Sequence, residues 1–307
     1  MPESSLSARE IRAAVIEPAF EAVRARAPRG AEVLLADDTV DLETVDFLIP
    51  GSVYPDLLKR MPALKRVAVV QVLSAGTDWV EPWLPPQATL CSARGARDAP
   101  VAEWVVGALL GVTSHLLECA RIHTWTQRRV LDLAEWTVLI VGMGSIGRRV
   151  QQYLAPFGTE VVGVASRAHD DLHGIDELPA LLPRADAVVV LAPLTDGTRG
   201  LVGAGELAAM RDGAVLINAA RGPVVDTDAL VAETTTGRLR AVLDVTDPEP
   251  LPDDHPLWSA PGVLSITPHI AGDSLVGNAR SAELAAEQFA RWCAGEELHN
   301  IVRRGSG

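Results

Sequence analysis

The stretch Val138-Leu139-Ile140-Val141-Gly142-Met143-Gly144-Ser145-Ile146-Gly147 is a short apolar run closed by Gly-x-Gly-x-x-Gly. The run reads as a strand buried on both faces, and Val150, Leu154 and Phe157 continue at helical spacing through Arg148 to Phe157. Strand, glycine turn and helix in that order turn a weak glycine pattern into a dinucleotide fingerprint. The glycines serve different ends: Gly142 permits the tight turn, Gly144 the close approach of a pyrophosphate, and Gly147 the packing of helix on strand. The helix that follows aims free N–H groups and a positive dipole end at the phosphates, so Gly142, Met143, Gly144, Ser145, Ile146 and Gly147 are candidate cofactor contacts. A hydrolase elbow, Gly-x-Ser-x-Gly, is not present, because Met143 stands two residues before Ser145.

The surrounding chain narrows the class. Its 307 residues suit two domains, each able to bury a core, and 48% hydrophobic with 22% charged residues is too mixed for disorder. A formal net charge of −13 argues against nucleic acid, whose phosphates it would repel. Cys91, Cys119 and Cys293 are scattered and odd in number, as expected of free thiols in a reducing compartment. Met1 to Ile11 carry charges and serines instead of an apolar core, and no apolar run approaches membrane-spanning length. A cytoplasmic protein without signal peptide or membrane association is expected.

Before the glycine turn, Ala13–Ile16, Val33–Ala36, Phe47–Ile49, Val67–Leu73 and Thr89–Cys91 read as strands, with helical pieces at Pro18–Ala27 and Tyr54–Met61. That rhythm suggests a small parallel sheet covered by helices. Asp98 is expected to cap an apolar helix running through Leu117, and Arg121 to Glu135 is a polar, tryptophan-bearing connector. From Thr137 the alternation is regular, with strands at Val138–Val141, Glu160–Ala165, Ala187–Leu191, Val215–Asn218, Ala241–Asp244 and Val263–Ile266. Gly277–Cys293 then reads as a long amphipathic helix that crosses back to the N-terminal domain, leaving the Gly-Ser-Gly end frayed or an appended remnant.

Ligands of open α/β sheets bind beyond the carboxyl ends of the strands. Beyond these six come the glycines; Ser166 and Arg167; Ala192, Pro193 and, further on, Thr198; Ala219 to Arg221; Asp244 with Glu249; and His269. An arginine, a carboxylate and a histidine thus share the rim with the cofactor turn. Arg221 offers a bidentate fork for a carboxylate or carbonyl oxygen. His269 can deliver a proton as hydride arrives at carbon, and Glu249 beside it would favour the protonated ring.

Four blocks closely resemble the signature segments of the D-isomer-specific 2-hydroxyacid dehydrogenases: Leu191 to Gly200, Asn218 to Asp226, Leu243 to Pro250 and Thr267 to Gly272. The resemblance implies Arg221 as substrate binder, His269 as general acid/base, Glu249 as its partner and Asp244 at the nicotinamide end. It also implies that Ser74, Ala75 and Gly76, after Leu73, hold the substrate carboxylate through backbone N–H groups, and that Ala192, Pro193, Thr198 and Ala219, with Arg221, Asp244 and His269, line the cofactor. The implied fold is α/β, a doubly wound parallel Rossmann-type sheet inserted into a smaller flavodoxin-like α/β domain. Residues 1–97 and 275–307 would form the substrate domain and 98–274 the NAD(P)-binding domain, dimerising through the latter. Glu249 separates the chain from formate dehydrogenases of this fold, which carry an amide there because formate oxidation moves no proton.

NADP is expected in preference to NAD. An NAD site places a carboxylate near the end of the second strand, where this chain has Ser166 and Arg167 and no acid before Asp170. His169-Asp170-Asp171-Leu172-His173 holds metal-ligand residue types but reads as a solvated loop, so no metal is expected. Of the seven tryptophans, Trp79 (with Tyr54) is a candidate to reach the substrate side chain; the others read as core, interface or pocket wall. The alternative function is a nicotinamide-sensing, corepressor-like binding protein of the same fold.

Overall fold

The structure, a computed structural model, describes residues 11–37, 40–123 and 125–306. The expectations for Met1 to Glu10 and for Gly307 lie outside the described residues. The chain separates into two compact units, Met1–Arg97 with Leu275–Gly307, and Asp98–Ser274.

In the first unit, strands β1 (Ile11–Val15), β2 (Ala31–Leu35), β3 (Phe47–Ile49), β4 (Val69–Gln71) and β5 (Thr89–Cys91) pair in parallel in the order β5-β4-β3-β1-β2. This is the flavodoxin-like strand order. Phe47, Leu48 and Ile49 are wholly buried, because a parallel strand covered on both faces has no solvent side. The returning helix, Leu275–Cys293, belongs to this unit. Its Ala282, Ala285, Ala286 and Phe289 recur at helical spacing and are buried in the same core, with the Phe289 ring 5.2 Å from that of Phe47.

The tail beyond it is more ordered than expected. Ile301–Arg303 adds a strand antiparallel to β5, and Gly305 N–H donates to Thr89 Oγ1 at 3.3 Å. Ser306 N–H donates to Pro86 O at 3.1 Å, and Gly305 sits too close to the Gln87 carbonyl to carry a side chain. The end through Ser306 is therefore docked, not frayed.

In the second unit β6 (Thr137–Val141), β7 (Glu160–Ala165), β8 (His173–Gly174), β9 (Ala187–Val190), β10 (Val215–Asn218), β11 (Arg240–Leu243) and β12 (Val263–Ile266) form one parallel sheet ordered β12-β11-β10-β9-β6-β7-β8. Side chains alternate between two cores: Leu139, Val141, Val188 and Leu216 face one layer, Val138, Ile140, Val189 and Ile217 the other. The strand order reverses between β6 and β9, and that crevice holds the glycine turn.

Three expectations fail locally. The spacing predicts six strands here, yet His173–Gly174 adds a seventh at the edge, inside the stretch read as a solvated loop. A two-residue strand carries no periodicity to read. The apolar helix starts at Asp98 itself and stops at Thr113, not Leu117. Ser114 and Thr113 hydroxyls turn back onto the Leu110 carbonyl, and His115 takes φ 57°, which ends the helix before a short turn at Leu116–Cys119. Asp98 is buried within the first turn instead of capping it.

Candidate active site

The carboxyl rim of the second sheet is laced by hydrogen bonds that continue each strand pairing into the loops. Leu191 N–H donates to Val141 O at 2.8 Å, Asp244 N–H to Asn218 O at 2.9 Å and Thr267 N–H to Leu243 O at 2.8 Å. Loops anchored in this way inherit the stiffness of the sheet beneath them.

Gly142 has φ +110°, and a Cβ there would lie 2.5 Å from the Ala192 nitrogen. A Cβ at Gly147 would lie 2.6 Å from the Gly142 carbonyl oxygen, so the helix Ser145–Leu154 can approach the turn only with glycine. At Gly144 a Cβ would meet no protein atom, so nothing within the chain requires glycine there. The Met143 side chain is buried in the core and its N–H donates to Val164 O at 3.2 Å, as the Gly142 N–H does at 2.9 Å, so the free backbone donors of the turn begin at Gly144. With the first N–H groups of the helix lacking intrahelical acceptors, the turn has the donors and the room a pyrophosphate needs.

Ser166 and Arg167 follow β7, both exposed, and among the described residues neither is hydrogen-bonded or ion-paired. Thr198 serves its own loop: its hydroxyl donates to Pro193 O at 2.6 Å and accepts from Thr195 N–H at 2.8 Å. Ala192 is buried against the glycine turn, while Pro193 is exposed.

Arg221 stands in the loop after β10, with Nη1 donating to Ala220 O at 2.7 Å. The buried Asn218 shapes this loop, its amide donating to Arg221 O at 3.1 Å and accepting from Ala220 N–H at 3.0 Å around Ala219. Gly222 packs directly on the Thr246 carbonyl, which ties the arginine loop to the segment leading to Glu249. Asn218 and Gly222 lie within a segment that resembles the family, yet residue type alone does not mark them as builders of the site. The available signal is a polar residue ending an apolar strand.

His269 Nδ1 and Glu249 Oε1 are 2.7 Å apart, and both side chains are a little over two-fifths exposed. His269 Nε2 has no hydrogen-bond partner among the described residues. The backbone of His269 is left-handed, φ 55°, a conformation that costs an L-residue about 1–2 kcal/mol unless its surroundings hold it. Asp244 does the holding. Its carboxylate accepts from Thr267 Oγ1 at 2.6 Å, Ile270 N–H at 2.9 Å and Ala271 N–H at 2.9 Å, and its carbonyl from His269 N–H at 2.8 Å. Expected at the nicotinamide end, Asp244 is 3% exposed and occupied with the histidine loop.

In the first unit, Leu73 to Gly76 form the loop beyond β4. The N–H groups of Ser74, Ala75 and Gly76 donate to no acceptor among the described residues, a set suited to an anion. Trp79 turns its indole N–H to Ser74 Oγ at 3.1 Å, and Tyr54 is packed near Gly51 with 38% of its surface exposed. Among the described residues no group of three metal-ligating side chains is assembled, the His169–His173 stretch included, and no helix is long and apolar enough to cross a membrane.

Residues 108–271 match the model of the D-isomer specific 2-hydroxyacid dehydrogenase, NAD binding domain. An uncharacterized protein in the proB 3' region of Corynebacterium melassecola is 34% identical, over 85% of this chain and 90% of that protein. A glyoxylate reductase of Thermofilum pendens is 30% identical, over 86% and 82%. The crystal structure of the NADPH-dependent glyoxylate/hydroxypyruvate reductase of Sinorhizobium meliloti, with NADP and sulfate, superposes with a TM-score of 0.82 at 29% identity, covering 95% of this chain and 98% of that one. With the glycine turn at the strand-order reversal and the histidine–glutamate pair on the same rim, the chain belongs to the D-isomer specific 2-hydroxyacid dehydrogenase family and is an NAD(P)-dependent oxidoreductase that interconverts 2-oxo and D-2-hydroxy acids.

Proposed function

We propose that the protein reduces a small 2-oxo acid, of the size of glyoxylate or hydroxypyruvate, with NADPH. The observation that carries the catalytic reading is His269: Glu249 takes Nδ1, Asp244 fixes the loop, and Nε2 is left over for substrate. Bound NADPH supplies the hydride. His269 gives the proton from Nε2 to the carbonyl oxygen, Glu249 keeps the ring oriented and stabilises its charge, and Arg221 holds and polarises that oxygen. The loop Ser74–Gly76 takes the substrate carboxylate on its N–H groups. Gly142 to Gly147 hold the pyrophosphate.

The unpaired Arg167 with the Ser166 hydroxyl supports NADP over NAD, since a 2′-phosphate would find a cation and a donor where an NAD site has a carboxylate. The NADPH-dependent Sinorhizobium meliloti relative is consistent with that preference. We place the protein in the cytoplasm on its three unpaired thiols. We propose a homodimer through the second unit, where Trp125 is fully exposed on the connector with Val130 at 64% and Leu131 at 41%.

A panel of glyoxylate, hydroxypyruvate and larger 2-oxo acids, each with NADPH and NADH, tests the reading. Turnover should be highest with a small acid and NADPH. Absence of turnover on every acid would overturn the reductase and return the binding-protein alternative.

A further inference from the structure

We infer that Trp79 is a positioning residue for the substrate carboxylate, acting through Ser74; this rests on the reading of Ser74–Gly76 as the carboxylate cradle. Trp79 Nε1–H donates to Ser74 Oγ at 3.1 Å, and Ser74 Oγ in turn donates to Gly76 O at 2.6 Å. A hydroxyl has one proton, so Ser74 has none left for a ligand. The side chain that looks most able to bind a carboxylate is instead a strut inside the loop.

The strut sets the direction of the backbone. With Gly76 C=O drawn toward Ser74, the trans peptide that follows turns the Thr77 N–H the opposite way. The N–H groups of Ser74, Ala75, Gly76 and Thr77 all lack acceptors among the described residues. The ends of the loop are fixed independently, by Ala93 N–H to Ser74 O at 2.8 Å and by Thr77 Oγ1 to Glu81 Oε1 at 2.6 Å. Trp79 is half-buried against the core of its own unit, so its N–H is delivered from a fixed ring. Without that donor, the Ser74 hydroxyl is free to rotate, and the Gly76 carbonyl can swing toward the position of the carboxylate, where an oxygen would repel it.

The test uses the full chain with NADPH and reads glyoxylate kinetics together with the binding of oxamate, a carboxylate the enzyme does not reduce. Trp79→Phe should raise the glyoxylate KM and the oxamate Kd about 5-fold, the range of one hydrogen bond, with kcat and NADPH affinity changed less than about 2-fold. Ser74→Ala should do the same, and the double variant no more than either alone, because both remove one strut. An unchanged KM in Trp79→Phe, or effects that multiply in the double variant, would overturn the inference. Ala75→Pro, or Ser74→Pro if that chain does not fold, deletes a cradle N–H directly. If it leaves KM at the wild-type value, the cradle reading itself falls; if it raises KM while Trp79→Phe does not, only the role of Trp79 falls.

Discussion

The two ends of the second unit's sheet carry similar residues and use them differently. At the amino end, charge is consumed in closing the strands. Arg238 donates to Leu207 O at 2.6 Å, Met210 O at 2.7 Å and Glu233 Oε2 at 2.5 Å, and Arg240 to Gly213 O at 2.7 Å beneath the Trp136 ring. Asp186 takes the Thr137 N–H at 2.9 Å and Arg211 at 2.6 Å. A cavity of about 390 Å³ opens there, but Arg211 and Arg240 in its wall are already spent on these partners. At the carboxyl end the groups divide into two tiers. Buried Asp244 and Asn218 shape the loops that carry His269 and Arg221, and on the same rim His269 Nε2 and the Arg167 guanidinium have no partner among the described residues. Having the residue types is not enough for a site; something else must hold the backbone so that they remain unspent.

That contrast can be broken experimentally, and the largest effect is expected at its centre. His269→Gln should lower kcat by about 10²–10⁴-fold, the usual worth of a general acid, while NADPH binding and the urea midpoint stay near wild type. Retained turnover would remove the histidine from the chemistry. Asp244→Ala should act on both stability and rate, since it orphans two N–H groups and a hydroxyl. A stability loss of roughly 3 kcal/mol, with kcat reduced at least about tenfold, is expected. A purely kinetic effect would mean that the carboxylate meets the cofactor after all.

Arg167→Ala should weaken NADPH about 10–50-fold, as for a lost charge-assisted hydrogen bond, and leave NADH nearly unchanged; equal weakening of both would sink the phosphate clamp. At the opposite end, Arg238→Ala should cost roughly 1–2 kcal/mol in urea unfolding without touching kcat, by taking the guanidinium from Met210 O, Leu207 O and Glu233. A change in kcat there would erase the distinction between the two ends.

The smallest effect concerns Glu177, whose carboxyl is held below its ordinary range by the Gly174 N–H and by His173 at the edge strand. A depressed folded value means that its contribution exists above the unfolded carboxylate range and fades as pH falls through the folded one. Glu177→Gln should therefore lower Tm by about 1 °C or less at pH 7, and the difference should vanish in acid. A difference that persists in acid would point to packing instead.

Legibility followed distance along the chain. The glycine turn could be read because its three glycines, its strand and its helix all lie within Thr137–Leu154. The positions of Arg221, Glu249 and His269 could be read because each sits just past a strand, and α/β sheets present ligands there. What Asp244 does could not be read: its three donors lie 23 to 27 residues away, and only the folded loop brings them to one carboxylate. The end at Thr113 was hidden for a different reason. Apolar spacing runs on past it, and the competing side-chain bonds to Leu110 O leave no trace in that spacing.

By itself the sequence determined the class of fold, the dinucleotide turn and the residue types available for acid–base chemistry, because these follow from local periodicity, glycine geometry and titration range. The tertiary structure decided which of those residues are spent and which are left free. It put Asp244 under the histidine loop, turned Trp79 onto Ser74, and brought Ile301–Arg303 back beside Thr89–Cys91 across most of the chain. Those choices rest on hydrogen bonds between segments far apart in sequence, and such partners exist only once the chain has folded.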